Sequence, residues 1–209
     1  SLNALNAESL LLGGTRTQKA DEITITTIAS TVIFANDADH ALEATEVIAA
    51  AKDTLTVKSG AAISALKTTQ PAGNVKLHAS GDGALLAVSA LSDIEFDRAS
   101  VSADPVLGTL EVMAGANIQA KRSLVLDSIL ASTLNGNVDV DAGGTATLGA
   151  SRILLGDSGN ETGLKLDNKT IANLGDVAKL TLNSRKNIDI YGPVSFGNSN
   201  LNLTVNGID

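Results

Sequence analysis

The chain has 209 residues, a formal net charge of −8, no cysteine, and 44% hydrophobic but only 2% aromatic residues. The absence of cysteine excludes a disulfide framework, a thiolate metal site and a cysteine nucleophile. A sequence pI near 4.7 with no cluster of Lys and Arg argues against a nucleic-acid backbone or an anionic membrane surface as partner. One Tyr, three Phe and no Trp fit a narrow core of stacked Val, Leu, Ile and Ala better than a compact globular centre filled by rings.

In chain order, the first element is Ala7-Glu8-Ser9-Leu10-Leu11-Leu12-Gly13, a short apolar run closed by a turn residue. It returns as Ala150-Ser151-Arg152-Ile153-Leu154-Leu155-Gly156 and, more loosely, as Lys121-Arg122-Ser123-Leu124-Val125-Leu126-Asp127. Such runs predict a wall of strands more fully buried than its neighbours. A second, alternating unit runs along the whole chain. It reads Ile23-Thr24-Ile25, Leu55-Thr56-Val57, Val75-Lys76-Leu77, Leu110-Glu111-Val112, Val138-Asp139-Val140, Leu164-Lys165-Leu166, Leu180-Thr181-Leu182, Ile188-Asp189-Ile190 and Leu201-Asn202-Leu203. Alternation with period 2 predicts strands with one face buried.

Several copies lead into small residues and glycine: Ser59-Gly60, Ala79-Ser80-Gly81, Ala114-Gly115 and Ala142-Gly143-Gly144. A strand followed by a glycine corner, at intervals of roughly 20 to 35 residues, predicts a coiled stack of strands, a β-solenoid, as one domain over 1–209. Pro71, Pro105 and Pro193 all stand beside polar or glycine-rich stretches, where a missing N–H does the ladder no harm.

Two segments break the rhythm. Residues 39–53 carry helical features, an Asp cap and Ala/Glu richness, yet Glu46-Val47-Ile48 leads straight into Leu55-Thr56-Val57, and strand is the reading adopted. Over 81–108 the interval between alternating strands is longest. Either a further strand built on Leu85-Leu86-Ala87-Val88 sits there, or a loop or hairpin protrudes as a binding excursion.

The best catalytic candidate is Asp93-Ile94-Glu95-Phe96-Asp97-Arg98. On a strand, Asp93, Glu95 and Asp97 share one face with neighbours about 7 Å apart, in the range of carboxylate pairs that act on a glycosidic bond. The plainer reading, and the one adopted, is a solvated face with Ile94 and Phe96 turned inward. Asn36-Asp37-Ala38-Asp39-His40 has the look of a metal loop, but the sixth and twelfth positions, where a calcium loop needs Gly and Glu, hold neither. Asp139, Asp141 and Asp157 are candidates for a stacked carboxylate row. His40 and His78 lack triad context, and no phosphate-binding glycine fingerprint opens a helix. The expectation is no enzyme, no metal and no cofactor. Asn160, Asn168 and Asn202 begin glycosylation triplets.

No run is long and apolar enough to span a bilayer, and no charged start precedes an apolar stretch as in a secretory signal. If the protein is exported, the chain is expected to be an internal segment of a longer one, with end-to-end association or an irregular cap at Ser1–Ala7 or Asn198–Asp209 covering its open strand edges.

The strand units, their glycine corners, the Glu8–Arg16 stretch ESLLLGGTR with its later copy, the polar Ser/Thr/Asn exterior and the lack of cysteine together resemble filamentous-haemagglutinin-like exoproteins of bacterial two-partner secretion. That group includes adhesins and contact-dependent inhibition proteins. The resemblance implies a right-handed parallel β-helix in a long, secreted fibre at the bacterial cell surface. It implies an outer-membrane transporter for the parent protein, and a host-cell or bacterial receptor or glycan as partner, with no nucleic acid and no membrane insertion. The Asn-Pro-Asn-Gly-type motif of that family's secretion domain does not occur here. The expected function is an adhesive interaction segment; the alternatives are a polysaccharide-acting enzyme using Asp93, Glu95 and Asp97, or a passive spacer.

Overall fold

The computed structural model describes residues 7–68, 73–197 and 199–205. Pro71, residues 1–6 of the first expected cap, and residues 198 and 206–209 of the second lie outside them; Asn200–Val205 of the second expected cap form a regular strand. The described chain is all-β with parallel pairing predominant, and its strands form four sheets.

The long sheet contains β1 (Ser9–Leu12), β6 (Glu46–Ala51), β10 (Ala84–Ser89), β14 (Ser123–Ser128), β17 (Thr145–Gly156), β19 (Lys179–Tyr191) and β20 (Asn200–Val205) in that spatial order, with β18 (Leu164–Leu166) on the far half of β17. The first side sheet stacks β4 (Thr31–Phe34), β7 (Thr54–Val57), β12 (Thr109–Val112) and β15 (Ala131–Leu134). The second stacks β5 (Leu42–Glu43), β8 (Ala62–Ala65), β13 (Asn117–Ala120) and β16 (Asn137–Val140). Every pairing in both side sheets is parallel. The chain visits them cyclically, β4–β5–β6, then β12–β13–β14, then β15–β16–β17, so equivalent residues stack row on row.

One core lies between the three walls. Leu55 and Leu110 from the first side sheet, Ile63 and Ile118 from the second, and Leu86, Leu126 and Leu148 from the long sheet are among its buried members. Each neighbour in a row extends the same apolar strip, so no single strand buries its face alone. All nine alternating units of the sequence fall in strands. The predicted glycine corners are corners: Gly60, Gly81, Gly115 and Gly143 all have φ between +77° and +85°, a conformation that costs an L-residue strain. The related runs beginning at Ala7, Lys121 and Ala150 all enter the long sheet. Gly13 and Gly156 close two of them with positive φ, and a Cβ on either would stand 2.1 or 2.2 Å from a backbone carbonyl oxygen.

A fourth, outer sheet lies against the other face of the long sheet. It comprises β2 (Gly14–Lys19), β3 (Glu22–Thr27), β9 (Gly73–Ser80) and β11 (Ser92–Ala99), in the order β11-β9-β3-β2. A second core fills the gap: Ile23, Ile25, Leu77, Ala79, Ile94 and Phe96 from the outer sheet meet Ile48, Ala50, Leu85, Ala87 and Val125 from the long one. This is why β6, β10 and β14 are buried at every residue, on both faces.

The sheets are mixed, which corrects the expectation of parallel pairing throughout. Strand β10 runs antiparallel to both its neighbours, β6 and β14, and β2 pairs antiparallel with β3. The connections dictate the reversal. The chain leaves β9 in the outer sheet, turns through Gly81–Gly83, descends as β10, and returns to the outer sheet as β11 after two residues. Links that short join only strands of opposite direction. Residues 81–108 thus divide into a wholly buried strand, an outer strand and a loop over 100–108. Over residues 39–53 the chain makes a 3-10 turn at Ala38–His40 and then strands, in keeping with the strand reading.

Candidate functional site

The long sheet is wider than the sheet that covers it, and its outward rows change character where the cover stops. One row runs Ile48, Ala87, Val125, Thr147, Thr181, Asn202 across successive strands. The parallel row runs Ala50, Leu85, Asp127, Gly149, Asn183, Thr204. The first members are apolar and lie beneath the outer sheet. Beyond β14 the same positions, Gly149 apart, carry hydroxyls and amides, as a face without the outer sheet's apolar cover requires.

Strand β11 is the last strand of the outer sheet, and its free side looks onto that uncovered face. The two make the wall and floor of a groove of about 860 Å³. Thr145, Thr147, Thr181, Asn183, Asn202 and Thr204 form the floor; Asp93–Arg98 form the wall, and the loop residues Ser100–Ala103 and Pro105 close one end.

The junction is held by a buried charge cluster. Asp127 accepts from Arg98 Nε at 2.7 Å through one oxygen and from Arg185 Nη2 at 2.7 Å through the other. Arg98 also donates to the Gly81 carbonyl, and Arg185 to the Ser128 carbonyl. The Arg98 and Asp127 side chains are 1% and 0% exposed. Three strands from two sheets, β11, β14 and β19, are tied together at this one carboxylate. Gly149 leaves the room for it, since a Cβ there would come within 1.9 Å of Asp127 Oδ1.

The sequence candidates fall on the wall. Asp93, Glu95 and Asp97 share the outward face of β11, while Ile94 and Phe96 point into the second core. Asp93 is paired with Arg122 and Asp97 with His78. Glu95 is exposed and stands opposite Lys76 in register. The other candidates do not converge. Asp37 accepts from the His40 backbone N–H at 2.9 Å and pairs with its ring at 2.7 Å, and the His40 side-chain hydrogen bond holds the Asp37 carboxyl below its ordinary range. Asp139 faces Gln119 in register, whereas Asp157 lies past the far end of β17 beside Tyr191, so no row of Asp139, Asp141 and Asp157 forms. Among the described residues there is no group of three or more His, Cys, Asp or Glu side chains placed to hold a metal ion.

A second ion cluster sits on the far halves of β17 and β19. Arg152 donates to Asp189 at 2.5 Å and to Glu161 at 2.9 Å. The bonds to Glu161 and Asp189 raise the Arg152 pKa, while Arg152 first and Asn187 second hold Asp189 below the usual carboxylate range.

Sequence reasoning found the acidic face of β11 but not the groove beside it. The groove depends on one sheet ending above another, and no spacing along the chain encodes that. The signal available was the shift from Val125 to Thr147 and Thr181 at positions equivalent in successive repeats. No protein family, no curated protein and no solved structure matches the chain.

Proposed function

We propose that this chain is an adhesive interaction segment of a secreted, cell-surface filamentous protein, folded as a right-handed parallel β-helix. The observation that carries the reading is the groove: a polar floor stepped below an open strand edge, carried on a stack of parallel rows. Stacked rows give a stiff support whose stability grows by addition of neighbours, and a rigid scaffold with a polar recess suits recognition at a distance from a cell. The partner is a receptor or glycan on a host or bacterial cell, and an outer-membrane transporter serves the parent protein. Nucleic acid is disfavoured by the net charge of −8.

The proposal is for binding rather than catalysis. Two of the three wall carboxylates are engaged, Asp93 by Arg122 and Asp97 by the His78 ring, which leaves Glu95 without an acid or base partner on its strand. Glycosidic chemistry needs two such groups in different protonation states.

The test is binding of the fluorescently labelled chain to bacterial cells and to epithelial cells, side by side. Saturable binding to either is expected. Absence of binding to both would make the segment a fibre spacer.

A further inference from the structure

The backbone of β11 narrows what fills the groove. Gly73 N–H donates to Leu91 O at 3.1 Å and Gly81 N–H to Ala99 O at 2.9 Å, both across the β9–β11 pair. In a parallel pair a residue turns its N–H and C=O to the same side. The odd-numbered residues of β11 therefore face β9, and Ile94, Phe96 and Arg98 face the groove. The Ile94 N–H is taken by Ser123 Oγ at 2.9 Å. The N–H groups of Phe96 and Arg98 and the carbonyls of Ile94 and Phe96 are left at ladder spacing along an open edge.

The outward side chains follow an order across the sheet. Glu22 on β3 stands opposite Lys76 on β9, and Lys76 stands opposite Glu95 on β11. Acid, base and acid succeed one another, and the next strand in that ladder meets Glu95 with a base. The inward side chains of such a strand would rest on Thr145, Thr147 and Thr181, which suits short hydroxylated residues. Of the groove cations, Arg98 and Arg185 are committed to Asp127 and Lys76 stands between Glu22 and Glu95, while Lys179 and Lys186 also line the groove.

We infer that the groove takes an extended polypeptide segment as a fifth strand of the outer sheet, with Lys or Arg at alternate, outward positions and Ser or Thr between them. Backbone pairing with Phe96 and Arg98 supplies the affinity, and Glu95 with the threonine floor supplies the selection. The inference rests on the adhesive reading for its biological use, but not for its test.

The probe is an eight-residue peptide of alternating Lys and Thr, titrated into the purified chain. Hydrogen exchange at the Phe96 and Arg98 amides serves as the structural readout. Binding is expected with slowed exchange at both amides. A peptide N-methylated at alternate residues on its paired side should bind about tenfold more weakly, from loss of at least two backbone bonds. Glu95→Lys, on an exposed side chain, should weaken the unmodified peptide and favour one with Glu in place of Lys. Equal binding of the N-methylated and parent peptides, or no binding of either, overturns the inference. If the chain binds cells and the peptide fails, the adhesive reading survives and the strand-addition inference does not. If the peptide binds and cells do not, the reverse holds.

Discussion

Arg98 on the outer sheet donates to Asp127 on the long sheet at 2.7 Å, and both side chains are shut off from solvent. The pair sits where the outer sheet stops covering the long one. It closes the last covered position and, with Arg185, fixes the edge from which the groove begins.

Removing the carboxylate leaves two guanidinium groups without their shared partner. Asp127→Ala is expected to destabilise the fold by about 3–5 kcal/mol, the cost of uncompensated buried charge. Arg98→Met should cost less, because Arg185 still balances Asp127. Urea unfolding of both variants gives the comparison. Equal, small losses would mean that packing around Phe96 holds the edge instead.

Gly149 is required by the same cluster. Gly149→Ala places a methyl in the volume of Asp127 Oδ1, and about 1–3 kcal/mol of destabilisation is expected from the forced shift. Combined with Asp127→Ala, the second substitution should add much less than it does alone. A double-mutant cycle by thermal unfolding reads the coupling, and strict additivity would contradict the geometry.

The Arg152–Asp189 pair sets an acid-side dependence. Asp189 is held below the ordinary carboxylate range by Arg152 and then Asn187, so the unfolded chain binds its proton at a higher pH than the folded one. The contribution is fully present above the unfolded value of about 4 and is lost as pH falls through the lower folded pKa. Asp189→Asn should show a shallower loss of stability between neutral and acid pH than the parent. Parallel curves would show that the pair adds nothing.

The short helix α1 (Asn168–Asn173) depends on its cap. Asp167 accepts from the Thr170 N–H at 2.7 Å, and that bond holds its carboxyl below the ordinary range. Asp167→Ala should cost about 1 kcal/mol, with faster amide exchange at Thr170. Asp167→Asn keeps a side-chain acceptor and should recover most of the loss.

The alternating units and glycine corners were legible in the sequence because each obeys a local rule, period 2 for Leu110-Glu111-Val112 and positive φ for Gly115. The reversed strand β10 was legible only as an apolar run. Leu85 and Leu86 are buried on opposite faces, in different cores, so the alternation that reveals a half-exposed strand is erased. Its direction is set by the short turns at either end. The Asp127 cluster escaped for another reason. Arg98, Asp127 and Arg185 are separated by 29 and 58 residues and meet only because β11 packs over the long sheet and Arg185 reaches from β19 past the intervening β17 to Asp127 on β14. Asp93, Glu95 and Asp97 were found together because a single strand carries them all.

The most direct test of the groove as the binding surface is a cell-binding titration with Thr181→Tyr, which fills the floor. Thr133→Tyr, on the exposed face of the first side sheet, is its control. Loss of saturable binding for Thr181→Tyr, with Thr133→Tyr unchanged, is the predicted result. Undiminished binding of Thr181→Tyr would place recognition elsewhere on the molecule.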